Sequence, residues 1–240
     1  MNIELTPAFI LHQRPYRETS LLLDVFSEHH GRVSLIAKGV RQKKRSQIGL
    51  YQLYQPLLLS WVGRGELHTL TAAEVASPRY ILQAESALCG LYVNELMVKL
   101  LPLNEPEPDI FKAYQNSLLG LQANNTEITL RLFEKQLLSY MGYGLVLDRE
   151  FENGQLVDEQ QQYYYQPDSG LYRWQLDRNQ PSISGRSLQH LMNERDFDQQ
   201  SLFEIKQLMR TVIHFYMGGK PLKSRELFTQ LQQYSAQSIK

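Results

Sequence analysis

The sequence holds one cysteine, Cys89, so it cannot form an internal disulfide, which fits a reducing compartment. A thiolate zinc site is excluded for the same reason, and the six histidines show no HExxH spacing. No apolar run approaches the roughly 18 to 20 residues that span a bilayer. The segment Met1–Leu5 carries neither a positive stretch nor a long apolar one, so a secretory signal is not expected and a cytoplasmic chain is. Internal repeats and low-complexity tracts are missing. So is a GxSxG nucleophile motif, and the acids at Glu105, Glu107, Asp109, Glu150 and Glu152 fall in proline-broken or irregular segments that do not suit paired general acids and bases. Gly218-Gly219-Lys220 resembles the end of a phosphate loop, but Pro221 follows the lysine and a helical pattern precedes the glycines, so a glycine cap and a turn are expected. An enzyme is therefore not expected, and no cofactor is implied.

What is present is a globular balance: 240 residues, 42% hydrophobic and 21% charged. The zero net charge hides a split. Residues 1–79 hold ten Lys/Arg against six acids, a net +4, while the remainder holds fifteen against nineteen, a net −4. Such asymmetry suggests that one part meets a polyanion and the other does not.

The first third reads as five short strands, at Ala8–Leu11, Ser20–Phe26, Arg32–Ala37, Leu57–Val62 and Leu67–Val75, with turn signals between them. A longer excursion, Lys38 to Tyr54, separates the third strand from the fourth, which fits an OB-type barrel with Phe9, Phe26 and Trp61 in its core. From Tyr80 the period becomes helical. Helices are predicted around Leu88–Leu100, Ile110–Leu121 and Thr126–Met141. An irregular stretch with hairpins is expected at about 148–184, where the aromatics Tyr163, Tyr164, Tyr165, Tyr172 and Trp174 hold a hairpin together. Helical spacing then returns, with Ser201-x-x-Glu204 read as a capping box. The fold class is α+β and multidomain: an OB-fold β-barrel over 1–79, then an α-helical domain over 80–240 with a small β insertion.

The candidate binding residues are basic. Lys38, Arg41, Lys43, Lys44 and Arg45 place five cations in eight residues, enough to neutralise several phosphates and release their counterions. Arg14 and Arg17 are assigned to the loop after the first strand and Arg64 to the loop between the fourth and fifth; Arg32 opens the third strand. On an OB barrel these segments flank the nucleic-acid face, so their convergence favours binding over a merely solvated loop. Tyr16, beside Arg14 and Arg17, is the best-placed stacking partner; Tyr51, Tyr54 and Trp61 are weaker ones.

Several stretches resemble the bacterial RecO family of recombination mediators: Phe9 to Phe26 (FILHQRPYRETSLLLDVF), Gly31 to Gly39, Leu91 to Leu96, Leu130 to Glu134, Gly142 to Gly144, and Gly218 to Phe228 (GGKPLKSRELF). The matches are ordered and span nearly the whole chain. The resemblance implies an OB domain and a helical domain. It implies binding of single- and double-stranded DNA, annealing of complementary strands, and help in loading the strand-exchange recombinase, in a nucleoid-associated cytoplasmic protein. It also implies two partners, RecR and the acidic, hydrophobic C-terminal tail of single-stranded DNA-binding protein. Arg131, Phe133 and Leu137 match the family's helical motif, and Lys220, Lys223 and Arg225 its C-terminal motif; together they are the candidate partner-binding residues, although Phe133 and Leu137 suit the core equally well. Many family members carry four zinc-binding cysteines after the Gly-Tyr motif. This chain has none between Gly144 and Ser184, so zinc is not implied, and the aromatic hairpin is expected as the local scaffold. The alternative is an OB-fold adaptor without physiological DNA binding; a nuclease is a third reading that needs a metal-binding acid cluster.

Overall fold

The computed structural model describes residues 2–41, 49–175 and 181–237. It divides into two compact units, Met1–Asn124 with Leu222–Lys240, and Asn125–Pro221.

In the first unit, β1 (Asn2–Tyr16), β2 (Ser20–Ser27), β3 (Gly31–Ala37), β4 (Leu57–Val62) and β5 (Leu67–Val75) close a barrel in the order β1-β2-β3-β5-β4. All neighbours are antiparallel except β3 and β5, which run parallel with Ser34 opposite Leu67. This is the expected OB-type closure. Alternation along each strand sends Ala8, Ile10, Leu23, Val25, Leu35 and Trp61 into the interior.

Phe9 and Phe26 are not in that interior, contrary to expectation. Because Ala8 and Ile10 point inward, Phe9 must point outward. There it meets Tyr114 edge-on at 5.1 Å and Phe111 at 5.5 Å, while Phe26 lies 5.6 Å from Phe111. Both phenylalanines are buried beneath α2 (Pro108–Gln122). A β-bulge between Ile10 and His12 then reverses the parity of β1. Beyond it His12, Arg14 and Tyr16 face outward, opposite Asp24, Leu22 and Ser20.

The helix α1 (Ala84–Leu100) packs on β1 and on α2, and α6 (Lys223–Gln237) packs on α1. Asn94 ties this arrangement together: its side-chain amide donates to the Leu11 carbonyl at 2.8 Å and its oxygen accepts the Tyr114 hydroxyl at 2.7 Å. Where the chain enters α2, Asn104 N–H donates to the Arg32 carbonyl. Gly31 allows that approach. Its φ is +64°, and a Cβ there would sit 1.8 Å from the Glu105 carbonyl oxygen.

The second unit contains α3 (Thr126–Leu138), α4 (Gly185–Asn193), α5 (Gln199–Tyr216) and a sheet of β6 (Gln162–Gln166), β7 (Gly170–Arg173) and β8 (Ile183–Ser184) in the order β7-β6-β8. The third predicted helix stops three residues early, in a π turn over Ser139–Tyr143 where Gly142 takes φ +81°. The expected aromatic scaffold is present. Tyr163, Tyr164 and Leu171 are buried, and Tyr164 stacks on Tyr172 at 5.1 Å. The capping box is displaced by one turn: Asp198 is the N-cap of α5, accepting from Ser201 N–H, and Ser201 Oγ accepts from Asp198 N–H in return. An Asp carboxylate caps at least as well as a Ser hydroxyl and also meets the positive end of the helix dipole, so the helix begins earlier. Glu204, freed from that role, accepts from the backbone and hydroxyl of Ser184.

Candidate nucleic-acid interface

The outer surface of β1, β2 and β3 has two halves. One is covered by α2; the other, towards the β1–β2 turn, is open. The register aligns Arg14, Leu22, Ile36 and Thr69 across β1, β2, β3 and β5 in one row. Arg14 belongs to β1 itself, correcting the loop assignment, because β1 continues to Tyr16. Arg17 opens the turn at φ +50°, and its guanidinium lies 5.3 Å from the Tyr16 ring centroid. On the other side Lys38 follows Ala37, which pairs with Leu21. Arg41 locks the two segments together: its N–H donates to the Thr19 carbonyl at 2.9 Å and its guanidinium to the Arg17 carbonyl at 3.2 Å.

Arg14, Arg17, Lys38 and Arg41 thus gather at one end of the barrel, all exposed. Lys43, Lys44 and Arg45 follow Arg41 in sequence and lie outside the described residues. Arg64 is exposed in the loop that delivers the chain to Leu67, opposite the middle of β3, and so stands apart from the other four. Arg32 differs from all of them. Its side chain is only 16% exposed, Nε donates to the Leu101 carbonyl at 3.0 Å, and Nη1 lies 4.0 Å from Asp24. It is built into the seam between barrel and helices. Burial pulls its pKa down, and the Asp24 charge pushes back.

Charge pairing distinguishes this rim. Among the described residues, Arg14, Arg17, Lys38, Arg41 and Arg64 make no ion pair; in the second unit Lys135, Arg173, Arg186 and Lys206 each face an acid within 4 Å, while Arg210 and Lys220 are exposed without one. Unpaired cations on one rim leave a positive potential, and paired ones do not. Of the stacking candidates, Tyr51, Tyr54 and Trp61 are buried, leaving Tyr16 half-buried under Arg17.

The partner-binding candidates separate into two groups. Phe133 and Leu137 belong to the core of the second unit, and Arg131 is 5% exposed with Nη2 bonded to Glu134 at 3.0 Å. They form no surface groove, because the motif stripe is the buried face of α3. Lys220 and Lys223 are exposed, while the Arg225 guanidinium lies 5.5 Å from the Tyr92 ring centroid. The i,i+4 spacing of Glu95 and Lys99 predicts an ion pair, and it forms at 2.9 Å; sequence reasoning missed that the Glu95 carboxylate also accepts from the backbone N–H of Lys223 and Ser224 and from the Ser224 hydroxyl. Burial pushes the Glu95 carboxyl up, but these hydrogen bonds outweigh it and hold the pKa at about 2. The presence of Glu95 and Lys99 four residues apart was the visible signal; the long-range bonds were not. Among the described residues no three His, Cys, Asp or Glu side chains gather as metal ligands would, and no helix is long and apolar enough to cross a membrane.

The family model for the recombination protein O N terminal region matches residues 1–79, and that for the recombination protein O C terminal region matches residues 82–226. The chain belongs to the RecO family. Curated RecO relatives resemble it over nearly their full lengths. The DNA repair protein RecO of Nitrosococcus oceani is 44% identical over 97% of this chain and 95% of its own. That of Coxiella burnetii is 43% identical over 94% and 97%, and that of Aromatoleum aromaticum is 40% identical over 96% and 97%. The barrel corresponds to the RecO N-terminal match, and the rim cations lie within it.

Proposed function

We propose that this chain serves DNA repair and recombination as a non-enzymatic mediator, binding single- and double-stranded DNA on the open barrel rim. The observation that carries the reading is the gathering of Arg14, Arg17, Lys38 and Arg41 without acidic partners. Such cations neutralise phosphates and release condensed counterions, so binding energy replaces a nucleotide-driven cycle. The division of labour is residues 1–79 as the DNA arm and 80–240 as the partner arm. Annealing follows when two bound strands are held close enough that pairing becomes effectively intramolecular. Loading of the recombinase onto DNA coated with single-stranded DNA-binding protein then proceeds through RecR and that protein's acidic tail, in the cytoplasm at the nucleoid. With Arg131 held by Glu134, the exposed Lys220 and Lys223 are the sequence-derived candidates left to meet an acidic tail.

The test is a salt titration of DNA affinity. Combined Arg14→Glu, Lys38→Glu and Arg41→Glu lowers affinity at least about tenfold and reduces the slope of log K against log salt by about three. An unchanged affinity and slope removes the rim from the site. Binding by the parent that vanishes at physiological salt favours the adaptor reading instead. Annealing of complementary strands, with and without precoating by single-stranded DNA-binding protein, tests the mediator step.

A further inference from the structure

Between the rim and the covered half, Asp24 is the acid that β2 brings to the open face; Glu4 lies at the far end of β1 and Glu18 in the β1–β2 turn beside Arg17. It lies on β2 between His12 of β1 and Ser34 of β3. Its contacts are all long: Ser34 Oγ donates at 3.4 Å, His12 Nδ1 lies at 3.5 Å and Arg32 Nη1 at 4.0 Å. Bonds of that length compensate a carboxylate poorly, and the side chain remains 20% exposed. The carboxylate therefore stands at the inner edge of an open face whose rim is positive, with Arg32 at 4.0 Å offsetting part of its charge. That is the wrong sign for a surface meant to be covered by phosphates throughout.

Its position relative to the rim gives it a use. Asp24 is two residues along β2 from Leu22, about 7 Å further from the cations. Leu22 and Ile36, cross-strand neighbours in the row that starts at Arg14, fill the interval with half-buried aliphatic surface. A single strand that seats its phosphates on Arg14, Arg17, Lys38 and Arg41 can turn its bases onto this strip, away from the carboxylate. A duplex seated on the same cations brings a second backbone across a groove about 6 to 12 Å wide, the range in which Asp24 stands.

We infer that Asp24 is a specificity-determining residue of this face, disfavouring the second phosphate backbone of a duplex while Leu22 and Ile36 receive the bases of one strand. The inference rests on the DNA-binding reading above and adds a discrimination to it. Both forms of DNA bind, and the carboxylate sets their ratio.

The measurement is the ratio of dissociation constants for a single-stranded oligonucleotide and a duplex of the same length, on the full chain. Asp24→Asn keeps the shape and the Ser34 hydrogen bond and removes the charge. It tightens duplex binding about threefold to tenfold, the effect of one unit charge at groove distances, and moves single-strand binding less than about twofold. Asp24→Glu restores the charge and keeps the parent ratio, which separates electrostatics from packing. Leu22→Ala with Ile36→Ala weakens the single strand more than the duplex. A ratio unmoved by Asp24→Asn, or moved equally by Asp24→Glu, overturns the assignment. If reversing the rim charges leaves both affinities unchanged, the DNA-binding reading itself fails. If it lowers them while Asp24→Asn leaves the ratio alone, only the role of Asp24 fails.

Discussion

The two halves of the barrel's outer surface are built from the same strands and do opposite work. On the covered half, Phe9 and Phe26 meet Phe111 and Tyr114, and no water reaches them. On the open half, past the bulge at Leu11, the outward positions become His12, Arg14 and Tyr16. One extra residue in β1 therefore keeps Ile10 in the core and still puts Arg14 in solvent. A second contrast lies in the cations. In the second unit Lys135, Arg173, Arg186 and Lys206 face acids, while those of the rim do not. What marks the rim as a site is that Arg14, Arg17, Lys38 and Arg41 gather at one end of the barrel without local neutralisation; the number of basic residues says less.

The largest effects belong to the covered half and to the buried pair. Phe9→Ala removes a ring 1% exposed and costs about 3–5 kcal/mol. Denaturant unfolding measures it, and a cost below 1 kcal/mol, on the scale of ~3 expected, would mean the helical cover is not structural. Glu134→Ala leaves Arg131 buried without its partner and costs about 3–5 kcal/mol by the same assay. A mild effect would return Arg131 to consideration as a tail-binding residue.

Glu95 gives an intermediate, pH-dependent effect. Its folded pKa of about 2 lies below the ordinary 4.5, so its contribution is present above the ordinary value and is lost as pH falls towards 2. Melting curves of the parent therefore shift down in temperature between about pH 5 and pH 2, the interval set by the unfolded and folded values. Glu95→Gln lowers stability near neutrality and flattens that decline. An identical decline in the variant would place the acid sensitivity elsewhere. The smallest effect is at Lys206, whose pair with Glu127 is exposed on both sides: Lys206→Ala changes stability by less than about 0.5 kcal/mol.

Much of the fold was legible. Five strand segments with a long excursion after the third specify the OB-type order, and the helical periods of α1, α2 and α3 were readable to within a few residues. The glycines after α5 and the aromatic hairpin were readable too. The errors have a common source. The preference of large aromatics for burial points Phe9 and Phe26 to the barrel core, but burial does not say on which side of a sheet. Pro15 after Arg14 signals a loop, yet β1 pairs with β2 through Pro15 and ends at Tyr16. Ser201 satisfies the capping-box pattern, although Asp198, three residues earlier, is the N-cap and Ser201 its N3 partner. Arg131 enters the partner-binding set through its match to the family's helical motif, and a motif match leaves open whether the side chain is exposed; the i,i+3 acid Glu134 pairs with it in a buried setting.

The sequence alone determined the charge asymmetry, the strand and helix periods and the family, because these depend on residue type and spacing along the chain. The tertiary structure alone decided which cations stay unpaired, that Arg32 serves the seam and not the rim, and that Glu95 receives the amides of Lys223 and Ser224. It also placed Asp24 across from the rim cations. Each of these depends on which distant backbone or side chain lies within a few ångströms. Register and a single bulge set that distance, and residue type leaves it open.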